Sequence, residues 1–491
     1  MNYDNIETTV AEPCASSMML TFRAVGYNIE TAVADVIDNS ISANAKSIWF
    51  NSEWKGDASF ITILDDGCGM NNEELVQAMK PNAKNPMDKR AENDLGRFGL
   101  GLKTASFSQC QKLIVVSKKV GFARVYWIWD LDYVISTNKW ELIRLPIDGD
   151  FSRELDSLDR LESGTLVIWT NLDRIISPNT SSSNELAKDK FLAQMDKVKQ
   201  HLAMTFHRFI EEKIVKLYCW EREVLFWNPF LLSEAATQQF PEEYIGDAIM
   251  KGYVLPHKSR LTKETYKDAE GVNGWPNQQG FYVYRGKRLL LSGSWLGLFR
   301  KEEHYRLVRI QIDLPNSLDS EWQIDIKKST ARPPLVFREQ IKAYAKDVRN
   351  RGVEVFRHRG KILTTRKRQD FQPLWREKKR GHKHSFFVNR DHSVIVELKH
   401  LAKTEPDKAI EYLLQFVEET IPTKSVFICE SEYDAIAEPF EETDLEVVKI
   451  IIRQISDAQK ASGKNIEQIK LLLLNMEPFN NFPELVETLA E

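Results

Sequence analysis

The 491-residue chain has no run of eighteen or more apolar residues, so no membrane-spanning helix is expected. Cysteine is scarce and odd in number: five residues, Cys14, Cys68, Cys110, Cys219 and Cys429, scattered and without a CxxC pair. That pattern excludes a disulfide framework and a zinc ribbon. The opening MNYDNIETTVAEP has neither the basic flank nor the apolar stretch of a secretory signal, and a cytoplasmic location is the expectation. The phosphate-binding pattern with four residues between glycines followed by GK[ST] is also missing.

What is present is ordinary in bulk, 42% hydrophobic and 28% charged, as in a globular protein of two or three domains. The net charge of −4 hides an asymmetry. Segment 338–385 has 16 Lys and Arg against 5 Asp and Glu, whereas 400–491 has 8 against 19. A basic neck of this kind suits a phosphate backbone, with Phe356, Phe371 and Trp375 available for stacking. It equally suits the acidic tail.

Three stretches carry the chemistry. In TAVADVIDNS, 31–40, apolar residues recur at helical spacing after Asn28, a suitable N-cap. Asp35 and Asn39 are four apart and share a face. That face must open on something polar, because an unpaired buried carboxylate is costly. Segments 46–50 and 59–64 are β-branched and aromatic and read as strands. The second runs into Asp65-Asp66-Gly67-Cys68-Gly69-Met70, where a strand-end acid and two glycines suit a flat polar ring. After a polar stretch with Pro81 and Pro86, long enough for a lid, comes GRFGLGLKTAS, 96–106. Glycines before a helix free backbone N–H groups to surround phosphates.

Each stretch alone also describes an ordinary polar helix edge, turn or loop. In this order they resemble the GHKL ATPases, named for gyrase, the ninety-kilodalton heat-shock chaperone, histidine kinases and the mismatch-repair protein MutL. AVADVIDNS, DDGCGM and GLGLKTAS are most similar to the MORC-like branch and its bacterial relatives. The resemblance covers roughly 18–175, with weaker support to about 335.

The resemblance implies an α/β (α+β) fold. It would comprise a Bergerat-type α/β sandwich over 1–178 with a lid at about 71–98, then a transducer-like α/β domain over 188–345. A basic neck over 346–384 and a small C-terminal α/β domain over 385–491 complete the expectation. It implies ATP and Mg²⁺ as cofactors, with Asn39 as metal ligand. Asp65 would bind the adenine amino group, Gly67, Gly69 and Met70 would line the base pocket, and Thr165 in GTLVIWTNL would be a second base contact. Gly96, Gly99, Gly101 and Lys103 would hold phosphates, with Phe98, Leu100, Leu102 and Thr104 beside them. The transducer would lend Lys328, or alternatively Lys327, to the terminal phosphate as a second catalytic residue.

Asp35 stands where such enzymes usually carry glutamate as general base. Its side chain is shorter by one C–C bond, about 1.5 Å. A misplacement of about 1 Å can cost on the order of a hundredfold in rate, so either the helix sits closer to the phosphate, a second water relays the proton, or hydrolysis is slow, and slow turnover is the expectation carried forward.

In the remainder, 188–210 reads as a helix with His201 and His207 as structural or solvated residues, and 213–330 as largely strands. SFFVNR, SVIVEL and KSVFICE read as strands of the last domain, with helices over 404–420 and 444–473. Glu430, Glu432 and Asp434 read as a polar loop. The expected partners are an ATP-dependent second copy, duplex DNA through 338–385 and a protein through 385–491, with no membrane. The expected function is ATP-gated conformational work on DNA or a DNA-processing partner, and the bacterial relatives imply a setting in restriction or anti-phage defence. A chaperone or a non-catalytic ATP-gated scaffold is the alternative.

Overall fold

The computed structural model describes residues 9, 13–24, 26–81, 101–147, 149, 151–318, 321–323, 331–362, 374–380, 383–392, 395–396, 399–400, 402–423, 426, 445–475, 479 and 482–489. The chain divides into two compact units, 1–356 and 357–491.

The first unit holds two sheets. Chain order runs α1 (Ala15–Ala24), α2 (Ile29–Ser42), β1 (Ser47–Glu53), β2 (Phe60–Asp65), α3 (Asn72–Met79), α4 (Gly101–Phe107), β3 (Lys112–Lys118) and β4 (Val125–Asp130). It continues through α5 (Leu131–Thr137), α6 (Ser152–Asp159), β5 (Gly164–Thr170), α7 (Glu185–Thr205), α8 (His207–Glu211), β6 (Lys216–Cys219) and β7 (Arg222–Glu223). These strands form one sheet in the order β4-β3-β5-β2-β1-β6-β7. Its pairs are antiparallel, except β1 with β6.

Alternation along the strands sends side chains to two faces. Ile48, Phe50, Ile61, Ile63, Val115 and Trp169 meet Val33 and Ile37 of α2 and Met195 and Leu202 of α7 in one core. On the other face Phe60, Leu64, Ile114, Leu166 and Ile168 pack with Leu155 and Leu158 of α6. Central β2 is buried along its whole length, Thr62 included, which is why its residues are apolar on both faces but for that one hydroxyl before the strand-end Asp65. Helix α7 and strand β6 share the first core, as does Val224 after β7, so residues 185–224 pack with this sheet rather than the next.

The second sheet uses β8 (Gln238–Gln239), β9 (Glu243–Ile245), β10 (Ala248–Val254), then, after α9 (Lys263–Ala269), β11 (Gly280–Arg285), β12 (Arg288–Ser294) and β13 (Val308–Leu314). The order is β12-β11-β13-β10-β8, with β9 also on β10. Helix α10 (Arg338–Ile362) lies against it, and glycines permit the approach. A Cβ on Gly252 would fall 2.5 Å from Val348, and one on Gly352 would fall 2.4 Å from Val308.

The second unit contains a hairpin of β14 (Trp375–Arg380) and β15 (Lys383–Val388), then α11 (Pro406–Thr420), α12 (Leu445–Ala461), α13 (Ile466–Leu474) and α14 (Pro483–Glu487). Val448, Ile452, Ile469 and Leu473 form its core. Three expectations change here. Part of the basic neck, 375–380, is a paired strand. The expected strand at 393–398 is instead helical at its described residues Ile395 and Val396. The Val396 amide donates to His392, one helical turn back, directly after the turn closed by His392 on Asn389. Of the expected strand at 424–430, only Val426 is described, and it too is helical. Glu430, Glu432 and Asp434 lie outside the described residues.

Candidate functional site

Helix α2 forms because its apolar residues recur every three to four positions and Asn28 caps it, accepting from the Thr31 amide at 2.9 Å. Its Asp35 is 3% exposed. One carboxylate oxygen accepts from the Tyr27 hydroxyl at 2.9 Å. The other pairs with Arg288 Nη2 at 3.3 Å. One turn along, Asp38 accepts from Arg288 Nε at 2.8 Å and is as deeply buried. Asn39 points outward, and its amide nitrogen donates to the Asp35 carbonyl at 3.2 Å. That bond leaves the amide oxygen, a hard neutral ligand suited to Mg²⁺, as the atom presented outward. Among the described residues no group of three or more His, Cys, Asp and Glu could hold a metal.

The adjacent acids at the end of β2 part company. Asp66 accepts from the amides of Lys46 and Ser47, at 2.6 and 2.8 Å, and fixes the start of β1. Asp65 turns inward, accepting from the Ser40 hydroxyl at 2.8 Å and the Gly67 amide at 2.9 Å. Burial raises its carboxyl above the usual carboxylate range; these donors and the Thr165 amide oppose the rise. Thr165 lies opposite Asp65 in the β2–β5 register, and its hydroxyl shares a 2.9 Å hydrogen bond with Ser117. Ser117 also accepts from the Met70 amide at 2.8 Å, so it brings Met70 and Thr165 together beside Asp65.

The glycines here serve backbone packing. Gly69 sits at φ +63°, and a Cβ there would lie 1.9 Å from the Lys118 carbonyl. A Cβ on Gly67 would lie 2.9 Å from the Asp65 carboxylate. The turn thus bears directly on β3 and on the acid itself.

Of the glycine motif, Gly96, Phe98, Gly99 and Leu100 lie outside the described residues, as do Lys327 and Lys328. Gly101 opens α4, and a Cβ on it would sit 3.9 Å from Oδ2 of Asp35. Leu102 packs on the core, and the buried Thr104 hydroxyl bonds Tyr27. Lys103 is buried, and its amine donates to the Ala78 carbonyl in the last turn of α3 at 2.9 Å. In this state it ties α4 to the element that leads into the expected lid.

Sequence reasoning missed Tyr27, Asp38 and Arg288. Arg288 opens β12 after a turn in which Gly286 and Lys287 both have positive φ, 52° and 70°. That geometry is the tight hairpin turn whose twist matches the strands. The signal was an arginine beginning an otherwise apolar RLLL run, which buries a charge wherever the strand is buried. Nearby, burial and the Arg288 charge push the His201 imidazole down to about 4. The buried His207 bonds the Tyr284 hydroxyl at 2.9 Å. A separate cavity of about 650 Å³, lined by Trp49, Phe60, Leu64, Leu166 and Trp220 among others, belongs to the opposite face of the first sheet.

With an acid and an amide on α2, a strand-end acid under a glycine turn, and a glycine-led helix facing them, the site can be compared with known proteins. The family of histidine kinase-, DNA gyrase B- and HSP90-like ATPases matches residues 27–165. Residues 27–165 are thus similar to the GHKL ATPases. The chain is also 30% identical, over 91 residues, to the ATPase morc-1 of Caenorhabditis elegans. That match covers 18% of this chain and 10% of the relative. The α/β architecture agrees with the family. No described helix is long and apolar enough to cross a membrane.

Proposed function

We propose that the GHKL-like domain binds Mg-ATP and hydrolyses it slowly. The supporting observation is the convergence of Asp35 and Asn39 on α2 with Asp65 and the start of α4. Asp65 would accept from the exocyclic amine of adenine, with Met70 and Thr165 beside it. Asn39 would take one position on Mg²⁺, which when bound supplies charge neutralisation to the phosphates. The N–H groups at the start of α4, continuous with the glycine motif, would face the phosphate tail. Asp35 would orient the attacking water; positioning and charge stabilisation dominate phosphoryl transfer, so a strongly basic group is not required.

Closure over ATP would bring two copies together and drive conformational work on DNA or a DNA-processing partner. The basic stretch ending in β14 would touch duplex phosphates without reading bases. Lys328, or Lys327, would reach the terminal phosphate. One observation favours a non-catalytic scaffold instead: Asp35 is already engaged by Tyr27 and Arg288.

ATP turnover by wild type and Asp35→Ala, each with and without duplex DNA, separates these readings. Turnover in wild type, loss in Asp35→Ala and stimulation by DNA are expected. No wild-type turnover supports the scaffold. Equal turnover in the two proteins removes Asp35 as base, and indifference to DNA removes the DNA arm.

A further inference from the structure

We propose that Arg288, with Tyr27, is a positioning residue for hydrolysis: it fixes the short Asp35 carboxylate toward the phosphate side and thereby ties the chemistry to the β11–β12 hairpin of the second sheet. The inference rests on Asp35 being the hydrolytic acid.

The geometry is specific. Asp35 and Asp38 are three residues apart on α2 and lie on one face. The planar guanidinium spans both, with Nε on Asp38 at 2.8 Å and Nη2 on Oδ1 of Asp35 at 3.3 Å. A planar fork can hold two carboxylates in fixed orientations, which an ammonium cannot. Tyr27 takes Oδ2 at 2.9 Å, and Thr104 of α4 bonds Tyr27 in turn. Each oxygen of Asp35 is therefore held by a different element. Oδ2 is the one directed at Gly101, where the glycine motif becomes helix. An aspartate short by one carbon gains most from such holding, because the error it must avoid is one of placement.

Arg288 comes from far away in sequence. Its hairpin is tethered through Lys287 to Glu212, just after α8, and the guanidinium lies 5.9 Å from the Phe206 ring centre. At 4% exposure it is not a surface cation that happens to lie near an acid. A shift of the hairpin relative to α2 withdraws one of the two anchors from Asp35. A purely structural ion pair would instead need no link to the Oδ2 side.

The test compares kcat, KM, ATP affinity by calorimetry and Tm for wild type, Asp35→Asn, Arg288→Lys, Tyr27→Phe and the double variant Asp35→Asn/Arg288→Lys. Arg288→Lys keeps the charge and loses the fork. It is expected to lower kcat about tenfold to a hundredfold with KM and ATP affinity within about twofold. In the Asp35→Asn background the same change should have no further effect, because Arg288 acts through Asp35. Tyr27→Phe, which removes no charge, should lower kcat severalfold and keeps the test alive if the lysine variant does not fold. Wild-type kcat in folded Arg288→Lys and in Tyr27→Phe overturns the proposal. So does an equal fractional loss in both backgrounds, which would mean that Arg288 acts on the nucleotide directly. Absence of turnover in wild type overturns the hydrolysis reading and this inference with it, whereas the preceding outcomes overturn this inference alone.

Discussion

Replacing Asp65 with asparagine should separate the stability of the domain from its affinity for ATP. The carboxylate is 4% exposed, and its two oxygens take the Ser40 hydroxyl and the Gly67 amide. Burial nevertheless raises its pKa. A raised carboxyl holds its proton more tightly in the folded protein than in the unfolded one. Stability from it is present below the unfolded value and lost as pH rises through the folded one. Burying the carboxylate form therefore costs stability as pH rises, and Asp65→Asn should leave the Tm of the nucleotide-free protein unchanged or higher. Asparagine keeps one acceptor for the Gly67 amide and presents a nitrogen that can pair with Ser40. Binding should move the other way. A hydrogen bond to a charged group contributes about 1.5–3 kcal/mol, so ATP affinity should fall about 10- to 150-fold. At a ligand concentration of about one hundred times the wild-type Kd, ATP stabilises wild type by about 2.7 kcal/mol. A fiftyfold weaker variant would gain only about 0.6 kcal/mol at the same concentration. Thermal unfolding with and without ATP, paired with calorimetry, reads both effects. ATP affinity within twofold of wild type would refute Asp65 as the base-reading acid. A drop of several degrees in the nucleotide-free Tm would refute the burial argument.

The other expectations are compact. Asn39→Ala should abolish Mg²⁺-dependent enhancement of ATP binding while leaving Tm near wild type; retained Mg²⁺ dependence in calorimetry would remove the metal role. Gly69→Ala should destabilise more than Gly67→Ala, because it adds a left-handed penalty of about 1–2 kcal/mol to a 1.9 Å clash with fixed backbone. Urea unfolding in the reverse order would contradict it. His201, pushed down to about 4 by burial and Arg288, resists protonation in the folded state. Stability from it is complete above the unfolded value near 6.5 and is lost as pH falls towards 4. The cost between pH 7 and pH 5 is at most about 2 kcal/mol, and His201→Gln should flatten that part of the urea profile.

Much of the first sheet was legible because its signals are local. The helical spacing after Asn28, the β-branched run into Asp65 and the glycine turn each follow from neighbouring residues, and α2, β1 and β2 lie where those signals put them. Local signals also ended where the context became distant. Segment 185–224 continues the first core because Met195 and Leu202 find the face of that sheet, which nothing in their own spacing specifies. WREKKR reads as a basic linker, yet it pairs antiparallel with KHSFFV. Its strand character comes from the partner, and β preference depends strongly on such pairing. At 393–398 the apolar run SVIVEL suits a strand or a buried helix alike, and the Asn389–His392 turn leads it into helical bonding.

The sequence by itself determined the chemistry at hand: an acid and an amide one helical turn apart, a strand-end acid with glycines, and a glycine-led helix. Residue type and spacing suffice there, since a helix places i and i+4 on one face whatever surrounds it. Tertiary structure alone decided what those groups touch. It separated Asp65 from Asp66, one turned to Ser40 of α2 and one to the start of β1. It seated Lys103 on the Ala78 carbonyl. It set Arg288 between Asp35 and Asp38, more than two hundred residues away in the chain. A buried charge takes its partner from whatever element packs against it, and that choice is made by the fold of two sheets together rather than by the order of residues around either acid.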